Sequence, residues 1–191
     1  METRRNQQIR CRIMILAVSA AVILTGLIPG AAFGKTAREI DVSVDVALER
    51  FNRQVQGGEE FAKSATGILV MPGVTKGAFI IGAQYGEGAL RVGGVTVDYY
   101  SLAAGSIGLQ IGGERKDIII MFMTDEALKK FRESKGWEAG VDGSIAFHDS
   151  GTSGSLSTQT AKDPIVGFIF DTKGFIADLS LKGAKFTKLD R

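Results

Sequence analysis

His148 is the single histidine of this 191-residue chain and the natural centre for acid–base or metal chemistry, with Asp142 and Asp149 close by in sequence. In a strand, Asp142 and His148 share a face while Asp149 points away, so the three groups do not converge. A zinc site needs three or four such ligands, and His148 is read as a surface residue. Glycine-rich stretches raise phosphate binding instead. Gly108 and Gly113 have the P-loop spacing, but Glu114 stands where that loop needs lysine, and the segment reads as strand. Gly86-x-Gly88 lacks the third glycine of a dinucleotide fingerprint, Arg91 occupying its place. No serine sits in a G-x-S-x-G elbow. The residues therefore support no enzyme activity, no metal and no cofactor.

Cations offer a different chemistry. Lys129, Lys130 and Arg132 lie beside Phe131 and Trp137, and basic residues next to interfacial aromatics favour a lipid headgroup zone. The competing reading makes Phe131 and Trp137 core and leaves the cations on a solvated helix face. Arg38, Arg50 and Arg53 flank the apolar stripe of an earlier segment, but Glu39, Asp41, Asp45 and Glu49 balance them. That segment reads as a packing helix rather than a basic membrane helix.

Several elements must position these groups. Ile40, Val44, Leu48, Phe51 and Val55 recur every three or four residues and predict an amphipathic helix over 37–55, with Val42 and Val46 off the stripe. A short helix is expected over 59–65. Ile68 to Met71 reads as a strand stopped by Pro72-Gly73, and 78–92 as a long strand bent at Gly82, Gly86 and Gly88. Gly93-Gly94 turns the chain into 95–100. Alternation of Ile107, Leu109 and Ile111 with small or polar residues marks another strand. Glu114-Arg115-Lys116 reads as a turn before Ile118 to Met123, an all-apolar strand expected at the sheet centre. Thr124 caps a helix that runs to Ser134 and stops at Gly136. Strands follow over 141–149, 165–170, 175–181 and 184–189, with a Gly/Ser/Thr-rich stretch over 150–160 and a turn at 171–174. Consecutive hairpins predict antiparallel pairing. Glycine weakens a strand, so its recurrence from Gly67 to Gly113 calls for a sheet that curls sharply.

At the N-terminus, Arg4, Arg5, Arg10 and Arg12 precede an apolar run from Ile13 to Ile28, and Ala32 and Gly34 occupy the positions a signal peptidase reads. Residues 1–34 are expected to be a signal peptide, cleaved before Lys35. The run is shorter than the roughly 20 residues of a comfortable membrane span. Cys11 precedes the run, whereas a lipoprotein cysteine must follow it. Removal of the leader takes away four arginines and Glu2, changing the formal net charge from +2 to −1 and leaving no cysteine. Such a chain has no disulfides and no whole-molecule attraction to nucleic acid.

Four segments carry a family resemblance: Ala65-x-Gly67-Ile68-Leu69-Val70-Met71-Pro72; Lys76-Gly77-x-Phe79-x-Ile81-Gly82-x-x-Tyr85-Gly86-x-Gly88; Gly108-Leu109-Gln110-Ile111-Gly112; and Met121-Phe122-Met123-Thr124-Asp125-Glu126-Ala127-Leu128-x-x-Phe131. Together they resemble the SYLF domain, also called the Ysc84-type actin-binding domain, in the order and spacing of its bacterial exported branch. The resemblance spans nearly all of 35–191. It implies a non-enzymatic lipid-binding module, with phosphoinositide binding and, in fungal members, actin binding and bundling. Eukaryotic members place membrane contact on a basic N-terminal amphipathic helix, from which the acidic balance around Arg38, Arg50 and Arg53 departs.

The expectation is therefore an α+β domain over 35–191: a curled, barrel-like antiparallel sheet flanked by two or three helices. It is exported to the periplasm or cell envelope and peripherally membrane-associated. Reversible association with anionic phospholipid headgroups falls to Arg50, Arg53, Lys129, Lys130 and Arg132. The alternative is a soluble periplasmic scaffold or carrier for a protein partner or an apolar small molecule. Actin enters only by family analogy. A small outer-membrane barrel is excluded, because Ile118 to Met123 lacks the polar-in alternation of such strands.

Overall fold

Thr36 starts the first helix by satisfying its free amides. Its hydroxyl accepts from Glu39 N while the Glu39 carboxylate accepts from Thr36 N, a reciprocal capping box. In this computed structural model, which describes residues 34–77, 81–107, 113–149, 163–173, 181 and 183–191, that helix is α1, Ala37–Gln54. It is followed by α2, Gly58–Ser64. Strands β1 (Gly67–Gly77), β2 (Ile81–Val92), β3 (Val95–Ile107) and β4 (Glu114–Phe122) lead into α3, Asp125–Glu133, capped by Thr124. The strands β5 (Trp137–Glu138), β6 (Ala146–Asp149), β7 (Ile165–Lys173) and β8 (Lys185–Leu189) complete the chain. Residues 35–191 form one compact unit.

The eight strands make one sheet in the order β5-β8-β3-β2-β1-β4-β7-β6. Among the described residues the architecture is α+β, a curled sheet forming a half-barrel with three helices. The central place of Ile118 to Phe122 is as expected, since β4 lies between β1 and β7 and is buried on both faces. Several features differ from the sequence reading: β3 continues past 100 to Ile107, β6 begins only at Ala146, and β7 runs through the expected 171–174 turn as far as Lys173. Pro72-Gly73 does not end β1: the ladder shifts register between Met71 and Val74, and Gly73, at φ 62°, donates its N–H to Asp117 Oδ1 at 2.7 Å. The bulge absorbs the proline, which has no ladder donor to lose. Glu114, Arg115 and Lys116 form the first part of β4 rather than a turn. Finally, β6 pairs with β7 in parallel, so the sheet is mixed. The 150–164 segment exceeds the roughly dozen residues a parallel return needs. Gly167 admits the Phe147 ring, whose Cε1 would lie 2.6 Å from an added Cβ. The alternation over 107–113, the 150–160 stretch and the 175–181 strand lie largely outside the described residues.

Period-2 alternation splits the sheet into two buried faces. On one, Val70, Ala89, Ile119, Met121 and Phe168 meet Ile40, Val44 and Phe51 of α1. The Phe51 ring packs edge-on against Phe168, centroids 5.1 Å apart. On the other, Leu69, Leu90, Tyr100, Ile120 and Phe122 meet Leu128 and Phe131 of α3. Phe131 and Trp137 are core residues, as the plainer of the two sequence readings has it. Val42 and Val46 lie off the packed stripe of α1 and are exposed.

Glycine permits the curl at particular points. A Cβ on Gly88 would sit 1.9 Å from the Val70 carbonyl oxygen, and one on Gly86 2.7 Å from Val74 Cγ2. Gly105, by contrast, has nothing within 4 Å of an added Cβ. Gly88→Ala must push backbone apart and is expected to cost about 3 kcal/mol or more. Gly105→Ala should change stability by no more than ~0.5 kcal/mol, as a surface substitution does. Urea unfolding of the two variants checks the contrast.

Candidate functional site

The cations proposed from sequence divide between the two helices, and the two helices cover opposite faces of the sheet. A flat surface can meet only one set.

Arg50 is on α1 and is engaged internally. Its guanidinium contacts Asp117 Oδ2 at 3.0 Å and pairs with Asp171. The Asp117 contact is ionic, its geometry falling short of a hydrogen bond. The Asp117 side chain is only 1% exposed, and burial pushes its carboxyl above the ordinary value. The Gly73 N–H and Arg50 pull it back down, and Asp171 raises it. Asp171 adopts a left-handed backbone, φ 47°, a conformation that aspartate tolerates better than most residues. Arg50 therefore holds the β1 bulge, the start of β4 and the end of β7 together. It is not the free surface cation that sequence reading expected. Arg53, one turn on, is exposed.

On α3, Lys129 and Arg132 lie on one flank and Lys130 on the other. Lys129, Arg132 and Lys188 line a shallow groove of about 360 Å³ with Asp125, Leu128 and Glu133. Within it Arg132 Nε lies 3.0 Å from Asp98 Oδ2, and Lys188 pairs with Oδ1 of the same carboxylate. Asp98 is buried, so these two cations do structural work while their outer surfaces stay exposed. Lys129 makes only a loose pair with Glu133, at 3.9 Å. Lys130 borders a cleft of about 410 Å³ whose apolar lining includes Trp137, Ile145 and Ile165. That volume lies in the range of small-molecule pockets.

Lys135 and Lys185 are exposed and extend the α3 cations toward β5 and β8. The Lys185 chain lies over Gly136, its Cε 2.6 Å from where a Cβ would be. Over α1, three arginines face four acids; α3, β5, β8 and the 134–136 link carry six cations, Lys129, Lys130, Arg132, Lys135, Lys185 and Lys188, against four acids, Asp125, Glu126, Glu133 and Glu138, with Asp98, Asp142 and Asp163 bordering the same groove and cleft.

A third polar group escaped sequence reading. Lys76 pairs in register with Gln84 on one side and Glu114 on the other, so the three form a row across β2, β1 and β4. Lys116 lies one step along the same face, its Nζ 3.2 Å from Glu114 Oε1. All four side chains are buried, and Gln84 Oε1 and both Glu114 oxygens have no hydrogen-bond partner. The signal was present in the alternation of Glu114 and Lys116 with Ile118, Ile120 and Phe122, which continues one face of β4. Asp142 accepts the Glu138 N–H at 2.7 Å and so closes a turn rather than a metal site. Among the described residues no group of three potential ligands comes together.

Replacing Arg50 leaves Asp117 buried without its counter-charge. Arg50→Ala is expected to lose about 3–5 kcal/mol at neutral pH. Arg50 lowers the Asp117 pKa, so its removal raises that pKa further. The deficit is then full above the folded-state pKa, which exceeds the ordinary 3.8, and shrinks as pH falls and Asp117 takes up a proton. Urea melts of both proteins from neutral to acid pH measure the narrowing.

Residues 103–191, from within β3 to the C-terminus, match the family described as Ysc84, Las17-binding protein actin regulator. The matched segment includes β4, α3 and β8, and thus most of the α3 basic surface. No curated protein matches the chain. Over residues 103–191 the chain therefore carries a match to the Ysc84 (SYLF) domain.

Proposed function

We propose that the domain binds anionic lipid headgroups reversibly through the α3 surface, without catalysis. The SYLF domain is in general a binding domain rather than an enzyme, and its family is linked to lipid and actin. The observation that supports the reading is the gathering of six exposed cations on α3, β8 and the link after α3, four of which have no buried acid to neutralise, whereas Arg50 of α1 is engaged internally. Each lysine or arginine near an anionic surface contributes about 1 kcal/mol, falling off within a Debye length. Lys129, Lys130 and Arg132, joined by Lys135, Lys185 and Lys188, give weak, salt-sensitive attachment. Arg53 lies on the helix covering the other face and adds little to this surface. No helix among the described residues is long and apolar enough to cross a membrane, so attachment through α3 would be peripheral. With residues 1–34 acting as an export signal, the lipid would be that of an envelope membrane.

Co-sedimentation with vesicles tests this reading. Binding should appear with anionic lipid, be absent with zwitterionic lipid and decline as salt rises. Lys129→Glu with Lys130→Glu should abolish it, while Arg53→Glu should leave most of it. Recovery in the supernatant under every condition rejects lipid binding and favours a carrier that uses the Trp137 cleft.

A further inference from the structure

Glu87 is a buried carboxylate on β2, 4% exposed, on the sheet face that α1 covers. Three donors converge on it, one from the same strand and two from distant parts of the chain. The Lys35 backbone N donates to Oε2 at 2.8 Å, Tyr85 OH to Oε1 at 2.7 Å and Arg191 Nη2 to Oε1 at 3.3 Å. The phenol is a durable donor: burial, then its bond to Glu87, pushes its pKa up to about 12. Lys35 has little freedom, because Thr36 is already fixed by its capping box with Glu39. The compact unit spans Lys35–Arg191, so its first and its last residue meet at one carboxylate.

The residue at that contact is the one the sequence places immediately after the leader. We propose that Glu87 is the receptor for a new N-terminus: hydrolysis of the Gly34–Lys35 bond turns the Lys35 amide into an α-ammonium that pairs with the Glu87 carboxylate. A signal peptidase supplies the catalysis and water the co-reactant. The Gly34 carbonyl leaves with the leader as a carboxylate, and Lys35 keeps the nitrogen, which takes up a proton. Before cleavage the contact is a neutral N–H donating to a carboxylate. After it, the same nitrogen carries a full charge and three donors, and charge-assisted bonds are roughly twice as strong as neutral ones. Processing thereby tightens the anchoring of α1 on the sheet. The proposal rests on cleavage before Lys35 and is independent of lipid binding.

The test uses the full chain, exported and purified after processing. N-terminal sequencing should begin at Lys35; any other start overturns the proposal. Part of the sample is then acetylated at the α-amine, which reacts ahead of lysine side chains at mildly acidic pH because its pKa is about 7.7–8.0 rather than about 10.4. Acetylation should raise the unfolding equilibrium constant of wild type about tenfold, or about 1.4 kcal/mol. In Glu87→Gln the same treatment should change it about twofold or less. An equal effect in both proteins contradicts the proposal. Should Glu87→Gln fail to fold, NMR titration of the wild-type α-amine decides. Pairing predicts a pKa above the ordinary 7.7–8.0, and a value within that range refutes it.

Discussion

The architecture depends on how closely β1 approaches β2. At Gly88 there is no room for a side chain, since a Cβ would overlap the Val70 carbonyl oxygen at 1.9 Å. Just beyond, β1 takes in Pro72 and Gly73 as a bulge, and the register against both neighbours shifts. A bulge and glycine gaps bend a sheet in the way that curved antiparallel sheets require. Because the curled sheet is apolar on both faces, each face needs its own cover, and α1 and α3 supply one each. The separation of the two cation groups follows directly from that arrangement.

Burial then sorts the charged residues by role. Arg50 answers Asp117 and Asp171, and Arg132 with Lys188 answers Asp98. A charge left alone in such places is far more costly than a neutral gap, so these pairs are constraints on the fold first. Lys129, Lys130, Lys135 and Lys185 carry no comparable obligation to a buried acid, and they are exposed on α3, on β8 and on the link after α3. The row of Lys76, Gln84, Glu114 and Lys116 shows the opposite extreme, with polar groups inside the sheet and several hydrogen-bonding atoms unpaired. The chain therefore presents a much smaller set of cations to a partner than its composition suggests.

The helices were legible because their signals are local. The stripe from Ile40 to Val55 and the Thr124 cap with Leu128 and Phe131 inward locate α1 and α3 to within a residue or so. The Gly93-Gly94 hairpin was equally clear, both residues having positive φ. What could not be read depends on contacts remote in sequence. Pro72-Gly73 looks like a stop until Asp117, from β4, accepts the Gly73 N–H. Glu114 to Lys116 looks like a turn until its alternation is seen to continue a central strand. Parallel pairing of β6 with β7 depends on the path of the chain between them and on Phe147 lying over Gly167. For the site, the three cations of α3 are plain in the sequence, but the internal engagement of Arg50 is not, since its partners lie on β4 and β7.

The central claim is that one face, the α3 side, meets the membrane while the α1 side does not. Residues 35–191 contain no cysteine, so a polarity-sensitive fluorophore can be placed singly on Glu133→Cys of α3 or Glu49→Cys of α1. On adding anionic vesicles, the account predicts a blue-shifted, brighter emission from the α3 label and an unchanged spectrum from the α1 label. A shift confined to α1, or an equal shift at both positions, would contradict it.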